Sequence, residues 1–477
     1  MPQKTSYNPV TPEIVDELKK IVGDKYVIFA DAEKLEPYSH DEVPDPRYAH
    51  MPDAVVRPNS RDEIAEIMKL ANRERIPVTP RGAGSGLSGG AVPIYGGIVL
   101  LLDRMNRIVE IDKKNLMIVC EPGVVTNQIN DLLADDGLHY PGYPMSLETC
   151  FIGGNVAENA GGAKAVKYGV TSRYIIGLEV VTPTGEIMEL GGKRVKDVTG
   201  YDLIHLLVGS EGTLGVFTKI TLKLMPVPTT SVDLLCLFNS IGEAIAAVPK
   251  IMTEGGIIPA AIEFMDKPSV RQACEYLNET LPYEDCGAML LISVDGSDEA
   301  LVERQYDAIG EQALQAGATE VYVADNTTTS ERIWRVRRNL AEAAAALMSE
   351  HQANEDISVP MSAISQVVGK IEGLGKKYDV PVFSYGHAGD GNIHARIVKN
   401  DRMTVEDWHE TLPKILSELY TLTAELGGVV SGEHGIGHKR KQYLPLVVSP
   451  VYLELMKKIK RAFDPNNVLN PGKIFDV

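Results

Sequence analysis

The sequence predicts an α+β protein of more than one domain, and three observations carry that expectation. Apolar runs of strand length alternate with amphipathic helices through the first half. Two glycine-rich runs interrupt this half close to strand ends, where a backbone must turn sharply or approach a ligand. Beyond the proline-marked segment Met225-Pro226-Val227-Pro228 the texture changes to longer helices alternating with strands, which predicts an antiparallel sheet covered on one face by helices.

Taken in order, Thr11 is placed to cap a helix with Pro12 at its first position and Val15, Leu18 and Val22 on one face, an N-terminal arm running to about residue 50. Pro52-Asp53-Ala54-Val55-Val56-Arg57-Pro58 reads as a short strand, and Ser60 with Glu63 as a capping box before a helix striped by Ile64, Ile67, Met68 and Ala71. Strands follow at residues 76–79, 98–102 and 117–120, then a helix from Thr126 to Asp136 stopped by Gly137. Further strands are predicted at 175–181 and 217–224. In the second half, Ser240 and Glu243 cap a helix, strands fall at 260–265, 289–294 and 320–323, and helices at 297–316 and from Ser330 to Met348. Two short strands, ending at His387 and beginning near Ile393, flank a Gly-Asp-Gly turn.

The 477 residues suffice for two or three cores. A net charge of -18, from 65 acidic against 47 basic residues, argues against an electrostatic footprint for nucleic acid or anionic membrane. Neither an apolar leader after Met1-Pro2-Gln3-Lys4-Thr5 nor a run long enough to span a bilayer is visible, so the cytoplasm is expected, with room for peripheral membrane association. Cys120, Cys150, Cys236, Cys274 and Cys286 are odd in number and scattered, giving neither a disulfide framework nor an iron–sulfur motif.

The run Pro80-Arg81-Gly82-Ala83-Gly84-Ser85-Gly86-Leu87-Ser88-Gly89-Gly90 contains a literal G-x-G-x-x-G, with Asp103 beyond it. A dinucleotide fold needs that loop to open a helix, yet Pro93, Gly96 and Gly97 lead into a strand, and no Gly-Lys-Ser/Thr completes a P-loop. What remains is a strand–loop–strand cradle whose amides can face an extended anion, or else a flexible surface loop. A second run, Ile152-Gly153-Gly154-Asn155-Val156-Ala157-Glu158-Asn159-Ala160-Gly161-Gly162, reads as another glycine-rich loop behind Pro141-Gly142-Tyr143-Pro144, so that a long ligand is cradled from two sides.

Together with Gly209-Ser210-Glu211-Gly212-Thr213-Leu214-Gly215, the stretch Tyr385-Gly386-His387-Ala388-Gly389-Asp390-Gly391-Asn392-Ile393-His394, and Ser431-Gly432-Glu433-His434-Gly435, these runs resemble the flavin subunit of glycolate oxidase and its D-lactate dehydrogenase relatives, in the vanillyl-alcohol oxidase and p-cresol methylhydroxylase superfamily. The resemblance extends from about Asp53 to the C-terminus and implies a two-part FAD-binding domain over 51–228, a cap or substrate domain over 229–428, and a segment 429–477 returning to the flavin. It implies FAD contacts along residues 80–89, at Pro144, Thr149, Gly153, Gly154, Asn155, Asn159, Gly161 and Gly162, and at Glu211, Gly215 and Asn470, with Arg81 supplying positive charge. No histidine lies in either glycine run, so the FAD is expected to be non-covalent. Glu158 stands where a small or neutral residue is expected, and Asn354 where some 2-hydroxyglutarate-oxidising relatives carry a lysine, which speaks against a dicarboxylic substrate.

His387 and His394, on either side of a tight turn, can reach one end of a hairpin, and Glu433 adds a carboxylate; two nitrogens and an oxygen suit Zn²⁺, Mn²⁺ or Fe²⁺. The alternative is a pair of hydrogen-bonded histidines in a turn. In an extended segment Glu433 and His434 would point oppositely, leaving His434 as a general base of suitable pKa. Arg337 is the candidate for a substrate carboxylate by alignment to a family arginine; Arg335 and Arg338 beside it equally fit a solvated helix face, and Trp334 reads as core. The resemblance therefore implies FAD-dependent oxidation of a small D-2-hydroxy acid, lactate or glycolate, with electrons passing to an electron-transferring flavoprotein, an iron–sulfur subunit, a cytochrome or a quinone. The alternatives are D-2-hydroxyglutarate oxidation and a non-catalytic flavin-binding subunit of a larger redox complex.

Overall fold

The computed structural model describes residues 7–324, 326–347 and 351–477. The chain forms two compact units: Met1–Gly161, Val170–Pro226 and Glu433–Val477 make the first, Gly162–Gly169 and Val227–Gly432 the second. No composition signal marks the short excursion of residues 162–169. Met348, and the stretch from Met1 to Thr5, lie outside the described residues.

In the first unit a four-stranded sheet runs in the order Val27–Phe29, Ala54–Val56, Ile98–Leu101, Val78–Arg81; the first pair is antiparallel and the rest parallel. Ala54, Val55, Val56, Ile98, Val99 and Leu100 are wholly buried, as continuous apolar runs in parallel strands should be. The helix Arg61–Glu74 packs its Ile64, Ile67, Met68 and Ala71 stripe on this core. Ser60 accepts the Glu63 amide, while the Glu63 carboxylate takes the amide of Asn59 rather than that of the cap residue. The helix Pro12–Val22, capped by Thr11, buries Val15, Leu18 and Val22 in the same core, and Val27–Phe29 joins the sheet edge, so the N-terminal stretch is built into the unit rather than appended as an arm. A second, antiparallel sheet runs Ile108–Asp112, Met117–Cys120, Val216–Lys223, Ile175–Val181, Ile187–Gly191.

The second glycine run is not a loop. Residues Ile152–Glu158 form a helix ended by Asn159 in the left-handed region, φ +53°. Tertiary packing overrides the low helix propensity of its glycines: a Cβ on Gly153 would sit 2.5 Å from the Pro122 side chain, and Asn155 Nδ2 donates to Thr126 Oγ1 at 2.7 Å.

The second unit is organised on a seven-stranded antiparallel sheet in the order Glu320–Ala324, Thr230–Phe238, Ala288–Gly296, Ala261–Asp266, Val382–His387, Asn392–Val398, Gln352–Ser358. Its central strands are apolar on both sides, so helices cover parts of both faces, not one as the sequence suggests. Leu235, Leu237, Met265 and Leu291 face helices Lys267–Leu277 and Thr327–Arg338, and Leu234, one position out of step, meets the helix Glu299–Gln315 at Gly310. The helix expected from Ser330 is two, Thr327–Arg338 and Leu340–Leu347. They divide at Asn339, whose side chain donates to the Arg335 carbonyl at 2.8 Å and competes with the helical ladder.

Candidate active site

The glycine run leaves the C-terminal end of the strand Val78–Arg81 and forms one wall of a cavity within the first unit. Residues 80–88, Pro144, Gly153, Gly154, Asn155, Gly161, Glu211, Gly215 and Asn470 all line it. Four further candidates do not. The Gly89 amide is turned to Asp41 Oδ2 at 2.8 Å, Thr149 is exposed with its hydroxyl on Ser146 O, Asn159 Oδ1 accepts the Ser172 amide, and Gly162 belongs to the second unit. The Arg81 side chain is buried on the wall, but its guanidinium braces the loop: Nη1 donates to His40 O at 2.7 Å and Nη2 to Pro37 O at 3.3 Å. It passes so close under Gly84, φ +82°, that a Cβ there would lie 2.1 Å from Nη2. Glycine at 84 is thus required both for the turn and for the clamp.

Sequence reasoning missed Asp41, Phe151 and Phe217 on the wall, because residues 41 and 217 lie outside the glycine runs and Phe151 just precedes one. It noticed Glu158 only as a departure. That carboxyl lines the cavity, and its Oε2 is buried with no hydrogen-bond partner among the described residues. Burial pushes it well above the usual carboxylate range, and the Glu211 and Asp41 carboxylates push it the same way. Burial raises Glu211 too, but Glu211 alone accepts two backbone amides, from Ile436 at 2.8 Å and Gly437 at 2.6 Å, so the pair keeps its proton on Glu158. An acid raised in the fold holds its proton at pH values where the unfolded chain has lost it, so stability falls as pH rises from the unfolded value toward the folded one. Glu158→Gln removes that loss. Melting temperatures of the apoprotein should show the variant gaining on the wild type steadily from pH 5 to pH 8; a difference independent of pH would mean that Glu158 is ionised throughout.

The C-terminal tail is pinned to the same wall. Asn470 Nδ2 donates to Gly90 O at 3.0 Å and to Glu211 O at 2.8 Å, and Lys473 Nζ to Val92 O at 2.7 Å; burial pushes the Lys473 ammonium down to about 7. The wholly buried Arg440 donates from Nη1 to Leu87 O at 3.3 Å and Gly435 O at 3.1 Å, holding the turn after His434 against the glycine loop. Glu433 and His434 both line the cavity. They do not point oppositely: residues 432–434 are bends rather than strand, Gly435 has φ +91°, and His434 Nε2 lies 3.7 Å from Glu433 Oε1.

In the second unit one face of the sheet carries the remaining candidates. Register pairs Glu263 with His387, Tyr385 with His394, Asp356 with His394 and Asn354 with Arg396. The His387 and His394 rings stand 5.3 Å apart at 86°. His387 Nδ1 lies 2.7 Å from Glu263 Oε1. Asp356, wholly buried and given no role by its sequence context, accepts Asn392 Nδ2 at 2.6 Å, Ser431 Oγ at 2.7 Å and the Gly432 amide at 3.0 Å. His394 and Asp356, neighbours in register, offer an imidazole and a carboxylate of the kind a borderline divalent cation takes. Arg337 is buried, paired to Glu263 Oε2 at 2.5 Å and stacked 5.3 Å from the Tyr385 ring, whereas Arg335 and Arg338 are solvent-facing. Trp334 packs with that core and donates to Asp233.

All five cysteines are buried and unpaired; burial raises Cys120 and Cys236 to about 12, which disfavours thiolate ligation. Among the described residues no helix is long and apolar enough to cross a membrane.

The chain resembles known proteins along its length. Residues 52–191 match the FAD binding domain family and residues 227–474 the FAD linked oxidases, C-terminal domain family. It is 40% identical to the glycolate oxidase subunit GlcD of Bacillus subtilis, over 98% of this chain and 97% of that protein. It is 39% identical to a D-lactate dehydrogenase of Anaerostipes hadrus, over 98% of each, and 31% identical to a D-2-hydroxyglutarate dehydrogenase of Stutzerimonas stutzeri, over 97% and 99%. Among solved structures, p-cresol methylhydroxylase superposes with a TM-score of 0.80 at 19% identity, over 97% of this chain and 96% of that one, which shows the fold. A cavity walled by glycine runs, in a two-domain fold of this kind and with these relatives, places the chain in the FAD-linked oxidases, as an FAD-dependent oxidoreductase of the D-lactate, glycolate and D-2-hydroxyglutarate dehydrogenase type.

Proposed function

We propose that the protein oxidises a small D-2-hydroxy acid, D-lactate or glycolate, to the 2-oxo acid. The observation that carries this reading is an imidazole, His434, on the wall of the cavity that the FAD-binding runs line. Non-covalently bound FAD supplies a two-electron acceptor there. His387, His394 and Glu433, with Asp356 beside His394 in register, would hold a divalent cation, which would polarise the substrate hydroxyl. Arg337 binds the substrate carboxylate through its planar fork, and His434 takes the hydroxyl proton. Glu158, protonated, offers an O–H to whatever occupies the cavity. Electrons leave to a protein partner or a quinone, since the five cysteines are unpaired and none forms a disulfide relay.

A second reading, D-2-hydroxyglutarate oxidation, gains support from Arg396. The Asn354 position lacks the relatives' lysine, but its cross-strand partner is a buried guanidinium with Nη1 on Gln352 and Nε without a hydrogen-bond partner among the described residues. Anaerobic titration with D-lactate, glycolate and D-2-hydroxyglutarate, followed by flavin bleaching, tests both readings. D-lactate or glycolate is expected to bleach the flavin fastest. Preference for the dicarboxylate, lost in Arg396→Met, would establish the second reading, and absence of bleaching by any hydroxy acid would overturn the first.

A further inference from the structure

Glu263 sits at the middle of the seven-stranded sheet, on the strand Ala261–Asp266, and no part of it reaches solvent. A buried carboxylate is strongly unfavourable unless paired, and this one has two partners. Its oxygens lie 2.7 and 2.9 Å from His387 Nδ1, and Oε2 lies 2.5 Å from Arg337 Nη2. Its oxygens thus accept from the His387 imidazole on one side and the Arg337 guanidinium on the other. One charge therefore orients two side chains to which the proposed function gives separate tasks.

We propose that Glu263 is a positioning residue that makes cation binding and hydroxy-acid binding interdependent: it holds the His387 ring so that Nε2 faces the cation and holds the Arg337 guanidinium so that its remaining N–H groups face the substrate carboxylate. A carboxylate at Nδ1 requires a proton on that nitrogen, which fixes the tautomer with the lone pair on Nε2 and raises its basicity as a ligand. Arg337 is held from a second side by the Tyr385 ring, and its Nε is buried with no hydrogen-bond partner among the described residues, as a donor reserved for a ligand would be. Cross-strand register keeps Glu263 and His387 together without any loop in between. The inference rests on the proposed function, in which His387 is a ligand and Arg337 a substrate contact.

The test uses full-length holoenzyme and Glu263→Gln, nearly identical in shape but neutral. Zn²⁺ and Mn²⁺ dissociation constants are measured by chelator competition, which needs no turnover, and kcat and KM for D-lactate are measured at saturating metal. Glu263→Gln should weaken metal binding about 10–100-fold and raise KM by about tenfold or more, with a smaller fall in kcat. Wild-type protein that binds neither cation, or that no hydroxy acid reduces, defeats the proposed function itself. Wild-type binding with an unchanged Kd and KM in the variant, whatever its melting temperature, defeats the role given to Glu263. If Glu263→Gln does not fold, Glu263→Asp decides: it keeps the charge on a stem one methylene shorter, so it should shift Kd and KM in the same direction, and unchanged values overturn the inference.

Discussion

His434→Asn is expected to slow flavin reduction by the hydroxy acid about 10²–10⁴-fold, the usual worth of a positioned general base, while FAD and metal content stay at wild-type levels. Stopped-flow reduction under anaerobic conditions reads the rate, and absorbance with elemental analysis reads the contents. Asparagine preserves a polar side chain of similar reach but cannot accept a proton near neutral pH. The structure sharpens the test. His434 Nε2 is only 3.7 Å from Glu433 Oε1, so the two side chains share one side of a bent backbone and both are eligible as ligands. Loss of metal in the variant would place His434 in the coordination shell, and unchanged reduction would withdraw it from the chemistry.

What can be read from the sequence follows from the range of the forces involved. Helix caps are local, and Thr11, Ser60 and Ser240 each accept the amide expected of them. Apolar runs in parallel strands are one-dimensional signals, and the strands Ala54–Val56 and Ile98–Leu101 stand on those runs. The helix Ile152–Glu158 is illegible because its cause is tertiary: Gly153 is there to fit against Pro122, distant in the chain, and not to loosen the backbone. The same reason hides half the site. Glu263 and Asp356 stand in strands with no motif around them, and only cross-strand register brings them to His387 and His394. Arg81 shows a further limit: a cation in a glycine run invites assignment to a phosphate, and only the fold shows that its guanidinium also braces the carbonyls of residues 37 and 40.

Arg337→Met should destabilise the folded protein by about 3–5 kcal/mol, because it leaves the buried Glu263 carboxylate without its guanidinium. Methionine retains most of the side-chain volume beside Val336 and the Tyr385 ring, so lost packing is a minor part of that cost. Arg335→Met and Arg338→Met serve as controls: both arginines face solvent, and their removal should fall within about 0.5 kcal/mol of wild type. Denaturant unfolding of the three variants makes the comparison. Equal stability among them would show that the Arg337–Glu263 pair contributes nothing net, as buried pairs sometimes do. Arg337→Lys separates stability from recognition, since it keeps the charge near Glu263 but loses the planar fork that a carboxylate fits. It should recover much of the stability while KM for the hydroxy acid stays well above wild type, and a KM equal to wild type would remove Arg337 from substrate binding and leave it a purely structural cation.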